Sequence, residues 1–330
     1  LNSSEPVIRA VNLKKYFPVR GRIFDVIRRR PKLYVRAVDD ITFDIYEREI
    51  FGLAGESGCG KTTTGKTILR LIEPTSGKLF FKGDDLLKYD GSKLKEFRRR
   101  AQIIFQDPYE SLNPRMNIYS IVEEPLRIHK IGDKNERLEM VLKVLEDVEL
   151  KPPENFIYRR PHELSGGQRQ RVAIARAMIL NPEFIVADEP VSMLDMSIRA
   201  EILNLMLKLR DEYKLAYLFI THDLAVAKYI CSRLGIMYLG KLLELGSAEK
   251  VIDEPYHPYT RALISAIPTP DPREKIGEIP IKGEVTSPIN VPKGCRFYPR
   301  CVRAMDICKE KEPKLMEVSK GHFVACHLYA

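Results

Sequence analysis

Apolar and polar residues alternate from Tyr34 to Tyr46, with Ile41, Phe43 and Ile45 at every second position. That period predicts a half-buried antiparallel strand. Residues 7–17 read as an edge strand that ends in two aromatics, Tyr16 and Phe17. Residues 50–54, 184–187 and 215–220 are apolar almost throughout, the pattern of buried strands. Residues 78–83 predict a strand running into a turn, 103–105 a short buried strand, and 236–246 a hairpin turning at Gly240. Helical spacing is found over 63–72, 92–100, 172–178 and 197–214. A further helix starts with Asp133 as N-cap and Glu136 three residues on. Its apolar stripe of Leu138, Val141, Leu142, Leu145 and Val148 predicts packing inside a small helical body. Strands thus alternate with helices, except over 107–163, where an α-helical insertion interrupts the α/β order.

Length and composition narrow the class. At 330 residues the chain exceeds what one core usually organises. It is 44% hydrophobic and 30% charged, as globular chains are, and no run approaches 18 apolar residues. The first residues lack the apolar centre of a signal peptide, so the cytoplasm is the expected compartment. The net charge of +9 suits nucleic acid, an anionic membrane face or a nucleotide. It is locally dense over 18–36, where Arg20, Arg22, Arg28, Arg29, Arg30, Lys32 and Arg36 face only Asp25. Either a solvated loop or a contact with lipid headgroups accounts for that insert equally.

Gly55-Glu56-Ser57-Gly58-Cys59-Gly60-Lys61-Thr62 fits the phosphate-binding loop, between a strand and a helix that opens with Thr63. Its glycines let backbone N–H groups reach phosphate oxygens without a Cβ in the way. Lys61 can reach the β- and γ-phosphates, and Thr62 can ligate Mg²⁺. Asp188 and Glu189 end a buried strand. Asp188 suits Mg²⁺, directly or through water, and Glu189 suits orienting and deprotonating the attacking water. His222 follows another strand end and can contact a γ-phosphate. Phe17, or in second place Tyr16, offers a ring for adenine. Ser165-Gly166-Gly167-Gln168 opens a helix. By itself it reads as an ordinary capped start, but it also concentrates N–H donors for a second anion.

Taken in order, these segments resemble the ATP-binding subunit of an ATP-binding-cassette (ABC) transporter over about residues 7–250. The resemblance implies a P-loop ATPase core with an antiparallel β subdomain (1–106 and 164–250). It also implies an α-helical subdomain (107–163) and a small cysteine-rich C-terminal extension (251–330). Gly55 to Thr62 is then Walker A, and Gln106 the Q-loop glutamine, a further Mg²⁺ contact. Leu164 to Gln168 is the signature, Phe184 to Asp188 Walker B, Glu189 the catalytic carboxylate and His222 the switch histidine. Ser192-Met193-Leu194-Asp195 is the D-loop, with Met193 where alanine is usual. Two such subunits are expected to sandwich ATP head to tail, so that Ser165, Gly166, Gly167, Gln168 and Asp195 serve the partner's nucleotide.

The stretches 106–116 and 256–263 resemble the dipeptide/oligopeptide branch, and the long insert after Phe17 its second ATPase. That implies a paralogous ATPase subunit as partner, with a homodimer still open. It also implies two transmembrane permease subunits docking near Gln106 and the helical insertion, an extracytoplasmic solute-binding protein acting indirectly, and a place on the cytoplasmic face of the cell membrane. The same machinery importing oligosaccharides is the alternative. A soluble ABC ATPase on nucleic acid or ribosomes is more remote, since the chain has one Walker A and no long heptad run.

Of six cysteines, Cys59 and Cys231 stand alone, while Cys295, Cys301, Cys308 and Cys326 crowd the C-terminal region. Beyond Pro268 prolines are frequent and periodicity weak, predicting a thin core there. Four thiolates at these spacings can hold a [4Fe–4S] cluster. Zinc sites favour closer cysteine pairs, but His322 and His327 beside Cys326 keep a zinc site as the alternative, with unligated cysteines as the third. The resemblance extends to the cysteine-rich tail of some peptide-importer ATPases, where a cluster is implied.

Overall fold

A computed structural model describes residues 5–19, 33–266, 281–283, 287–289 and 291–330. Most of the basic insert, 20–32, lies outside them. The strands in chain order are β1 (Ile8–Pro18), β2 (Tyr34–Ile45), β3 (Ile50–Ala54), β4 (Ser76–Phe81), β5 (Asp84–Asp85) and β6 (Ala101–Ile104). They continue as β7 (Phe184–Asp188), β8 (Ala216–Thr221), β9 (Arg233–Tyr238), β10 (Lys241–Ser247), β11 (Met316–Ser319) and β12 (His322–Val324). The helices are α1 (Lys61–Ile68), α2 (Gly91–Arg100), α3 (Pro108–Ser111), α4 (Ile118–His129), α5 (Lys134–Asp147) and α6 (Gly166–Met178). After them come α7 (Met196–Tyr213), α8 (Leu224–Ile230), α9 (Ala248–Asp253), α10 (Pro258–Ser265) and α11 (Ile307–Glu310). None of these is long and apolar enough to cross a membrane. The chain divides into two compact units.

One unit contains residues 5–7, Ile45–Glu49 and Lys88–Ile220. Its strands β6, β7 and β8 pair in parallel, Ala101 beside Phe184 and Phe184 beside Ala216. Every residue of β7 and of β8 is buried, which is why both read as unbroken apolar runs. The helices of the insertion pack on α6 and on one another through Ile121, Val122, Val141 and Leu145. The start of α5 is as its sequence predicts: Asp133 accepts from the Asn135 and Glu136 N–H groups, and Glu136 accepts in return from the Asp133 N–H. Leu138 corrects the predicted stripe, because it is exposed and the buried face begins one turn later at Val141.

The other unit contains Ile8–Asp44, Ile50–Leu87 and Thr221–Ala330, so far as these are described. An antiparallel sheet runs β2-β1-β4-β5. A second sheet starts with β3 parallel to β9, and then runs antiparallel through β10, β12 and β11. The β9–β10 hairpin turns at Leu239 and Gly240, both with positive φ, as tight hairpins require. The thin core expected of the tail is corrected here. The hairpin β11–β12 extends the sheet along β10, and Phe297, Val324 and Ala325 are buried. A two-strand edge of three and four residues leaves too short a periodic trace to read from sequence.

Candidate functional site

The phosphate loop leaves β3 and enters α1 through three glycines with positive φ, Gly55, Gly58 and Gly60. Gly60 shows why no other residue serves: at φ 111° a Cβ would lie 1.9 Å from the Ala37 carbonyl oxygen. A side chain there would be both strained and obstructed. Gly60 stands at the N-cap of α1, and no side chain caps that helix, so its first N–H groups face the loop. Lys61 is buried, its ammonium donating to the carbonyls of Gly55 at 2.8 Å and Glu56 at 3.1 Å. Burial pushes the Cys59 thiol up, against the pull of Lys61. Loop donors, one lysine and a bare helix start make an anion cradle.

Tyr16 and Phe17 are half-buried near the end of β1. The Tyr16 hydroxyl donates to Asp39 at 2.5 Å, and burial together with that bond pushes Tyr16 up to about 12. Burial opposes ionisation of Asp39, but Tyr16 and Arg296 outweigh it and hold the carboxyl below its usual range. His222 is exposed just past β8.

In the first unit, Asp188 closes β7 and is buried. Glu189 follows with φ 46°, a left-handed backbone for a non-glycine residue. Hydrogen bonds hold it: its N–H donates to Ile220 O at 2.9 Å, its carbonyl accepts from Ser192 Oγ at 3.0 Å and from the Ser192 N–H at 3.2 Å, and its carboxylate accepts from Gln106 Nε2 at 3.1 Å. Gln106 and Glu189, 83 positions apart, are therefore brought together. Ser165 caps α6 in a reciprocal box: its Oγ accepts from the Gln168 N–H at 3.3 Å, and the Gln168 side chain accepts from the Ser165 N–H at 3.0 Å. Within this chain the stretch is an ordinary capped start. Leu164 and Gly167 are buried while Ser165 is exposed. A Cβ on Gly167 would come 2.7 Å from Ile198 Cγ2, so close packing requires that glycine. Asp195 and Met196 are exposed at the start of α7.

In the tail, Cys295, Cys308 and Cys326 are buried, Cys301 half-buried, and all are free thiols. They lie close enough to feel one another, Cys295 sensing Cys308 and Cys326, and Cys326 sensing Cys301 and Cys308. Burial, reinforced by the neighbouring thiols, pushes Cys295 up to about 12, and burial raises Cys301 and Cys326 as well. Among the described residues no group of three or more His, Cys, Asp or Glu is arranged to hold a metal ion. The two histidines of the zinc alternative bond elsewhere, His322 Nε2 to Glu244 at 2.8 Å and His327 Nε2 to Lys311 O at 2.8 Å.

Sequence reasoning missed two residues that touch the cradle and a buried acid before α10. Tyr259 accepts the Glu56 N–H at 2.9 Å through its hydroxyl, and Arg300 donates to the Glu56 carboxylate at 2.7 Å. Glu244, fully buried, accepts from the N–H groups of Tyr256 and His257. Only a charged residue inside the apolar β10 run hinted at it.

Such a loop on a parallel strand, leading into an uncapped helix, defines a P-loop nucleotide-binding protein. Residues 38–192 match the family model described as ABC transporter, and residues 243–308 match that described as the C-terminal region of oligopeptide/dipeptide transporters. The oligopeptide transport ATP-binding protein AppF of Bacillus subtilis is 48% identical, over 99% of both chains. The dipeptide transport ATP-binding protein DppF of Haemophilus influenzae is 45% identical, over 99% of this chain and 98% of its own. Among solved structures, the dimeric cassette MJ0796 bound to ADP and Pi is similar with a TM-score of 0.63 and 30% identity, over 73% of this chain and 98% of its own. The chain belongs to the ABC transporter ATPases, among their oligopeptide and dipeptide transport ATP-binding proteins. It is an ATP-hydrolysing subunit.

Proposed function

We propose that this chain drives uptake of dipeptides or oligopeptides through a separate membrane permease, by binding and hydrolysing ATP. The observation that carries the reading is the cradle of Gly55 to Thr62, with Lys61 and an uncapped α1, in a chain whose relatives are named as peptide-transport ATPases. The domain reading is a nucleotide-binding core of 1–106 and 164–250, a helical subdomain of 107–163 and an extension of 251–330.

In this reading Lys61 and the loop N–H groups of Gly55 to Thr63 hold the phosphates, and Thr62, Gln106 and Asp188 hold Mg²⁺. Phe17 stacks on adenine; the bond from Tyr16 to Asp39 commits that phenol elsewhere and supports the preference. Glu189 orients water and takes its proton, with Gln106 already fixing the carboxylate at 3.1 Å. His222 contacts the γ-phosphate. Ser165, Gly166, Gly167, Gln168 and Asp195 complete the site of a partner ATPase, paralogous or identical. The exposure of Ser165 and Asp195 and the dimeric MJ0796 neighbour support that assignment. Binding of ATP closes the pair, and loss of the γ-phosphate lets it open. From the cytoplasmic face of the membrane the pair passes this motion to two transmembrane permease subunits.

For the four tail thiols we favour a [4Fe–4S] cluster over zinc, because Cys295, Cys301, Cys308 and Cys326 are spaced more widely than the close pairs zinc sites favour. His322 and His327 each bond through Nε2, to Glu244 and to the Lys311 carbonyl. Buried thiols pushed up in pKa become thiolates only beside a positive centre, which zinc and a cluster both supply, so the preference for a cluster rests on the spacing. Its role would be structural, holding the turns of 295–308 together.

The test is reconstitution with a partner ATPase, a peptide-importer permease and its solute-binding protein. Glu189→Gln is expected to keep ATP affinity, to lose turnover by roughly 10²-fold or more, and to stop uptake of labelled peptide. Wild-type turnover in that variant would reject Glu189 as base; uptake of oligosaccharide in place of peptide would reject the cargo. The same protein purified without air should be brown. Colourless protein carrying stoichiometric zinc would overturn the cluster.

A further inference from the structure

Between Cys295 and Cys301 the chain reads Arg296-Phe297-Tyr298-Pro299-Arg300. Both arginines are buried, Arg296 3% and Arg300 7% exposed. A buried guanidinium is costly unless a carboxylate meets it. Each meets one: Arg300 meets Glu56 in the phosphate loop, and Arg296 meets Asp39 on β2, which also holds Tyr16. Arg300 Nη1 donates to Glu56 Oε2 at 2.7 Å. Glu56 is the second residue of the phosphate loop, and its N–H is tied to the Tyr259 hydroxyl at 2.9 Å. Arg300 also lies 5.7 Å from the ring centroid of Tyr238, which packs against Tyr259 at 4.8 Å and Phe297 at 5.5 Å. Arg296 donates to Asp39 and to the Leu239 carbonyl, and Asp39 in turn accepts from Tyr16. The tail has its own anchorage in the β12–β10 pairing and the aromatic cluster around Phe297.

An acid inside a phosphate cradle is an electrostatic contradiction. Unpaired, the Glu56 carboxylate would repel the polyanion that the loop is built to hold. Arg300 cancels that charge at contact distance in a partly buried setting, where the cancellation is strongest.

We propose that the Cys295–Cys301 segment is a brace for the nucleotide site, in which Arg300 neutralises and fixes Glu56 and Arg296 fixes the Asp39–Tyr16 pair. Both arginines are positioning residues: they act through Glu56 and Asp39 and touch no nucleotide. The inference rests on the ATP site proposed above and adds to it a dependence of ATP affinity on the tail.

Equilibrium titration of the full chain with ATP and ADP, beside steady-state hydrolysis, tests it. Arg300→Gln should raise Kd and KM for ATP by about 10-fold, ADP by less, and change kcat less than about twofold. Arg300→Lys keeps the charge and should stay within about threefold of the unaltered chain. The decisive variant is Arg300→Gln with Glu56→Gln. With the repelling carboxylate gone it should bind ATP more tightly than Arg300→Gln alone, a coupling that loss of structure does not produce. Lys314→Gln, an exposed tail change, should leave both constants unaltered. Unchanged ATP affinity in Arg300→Gln, a double variant no better than the single one, or a lysine variant as poor as the glutamine one would each overturn the brace. Failure of the unaltered chain to bind ATP at all would instead remove the nucleotide reading beneath it.

Discussion

The phosphate loop and the cysteine tail are both irregular stretches of chain, and they are held by opposite means. The loop is fixed by its own backbone. Positive φ at Gly55, Gly58 and Gly60 sets its path, and Lys61 closes it through carbonyls five and six residues away. The tail is fixed by side chains that reach far along the sequence, Arg300 to Glu56 across 244 positions, Arg296 to Asp39 across 257, and His322 to Glu244 across 78. A segment that must present N–H groups to a ligand cannot let side chains fill the cradle, so its geometry is written in glycines. A segment with no ligand to cradle in that way can use long polar side chains as ties, provided each buried charge finds its counterpart.

The largest effect expected from breaking this contrast lies in the loop. Gly60→Ala adds a methyl 1.9 Å from the Ala37 carbonyl and forces a side chain to φ 111°. Nothing nearby is a flexible side-chain end at that distance, so backbone must move. Nucleotide binding should be lost, and stability should fall by roughly 3 kcal/mol or more. Titration with a fluorescent ATP analogue and a urea melt check the two parts. Retained binding would mean that the loop path is less committed to its glycines than its dihedrals state.

A smaller effect is expected where the tail joins α10. His257 is fully buried; its Nδ1 accepts the Tyr259 N–H at 3.0 Å and its own N–H donates to Glu244. Burial pulls its pKa down to about 4, with Glu244 acting weakly the other way. The unfolded chain therefore binds a proton at this residue between about pH 6.5 and pH 4 that the folded chain refuses. Stability from this group is present above pH 6.5 and is lost as pH falls toward 4, by on the order of 3 kcal/mol in full. His257→Asn keeps an acceptor for the start of α10 and removes the titration. Its melting midpoint should depend less steeply on pH across that window than that of the unaltered chain. Equal slopes would place the acid sensitivity elsewhere.

The same contrast decides what could be read without coordinates. The loop was legible because backbone demands of this kind admit few residues, and so leave a fixed spacing with strand before and helix after. The Asp133 and Ser165 caps were legible for a related reason, since each closes a hydrogen-bonded box within four residues. Gln106 and Glu189 were each legible as strand-end residues, but their contact was not, because it spans 83 positions. The tail ties were invisible. Arg296 and Arg300 sit in a chain of 54 basic residues, and no periodicity marks them as turning inward. Leu138 erred in the other direction: helical spacing put it on the apolar face, yet the buried face of α5 begins at Val141.

The smallest expected effect sharpens the contrast from the tail's outer side. Lys309 pairs with Asp306 at 3.2 Å on α11, within the same segment that carries the cysteines. The geometry resembles that of the Arg300–Glu56 pair, but Asp306 is 98% exposed and Lys309 more than half exposed. Water screens such a pair, and holding two long side chains together offsets most of what attraction remains. Lys309→Gln should therefore leave the melting midpoint within about one degree and ATP affinity unchanged. A calorimetric scan and an ATP titration suffice to check it. If Lys309→Gln moved either quantity as far as Arg300→Gln does, burial would not be what separates a tie from an ornament in this tail, and charge pairing anywhere in it would have to count.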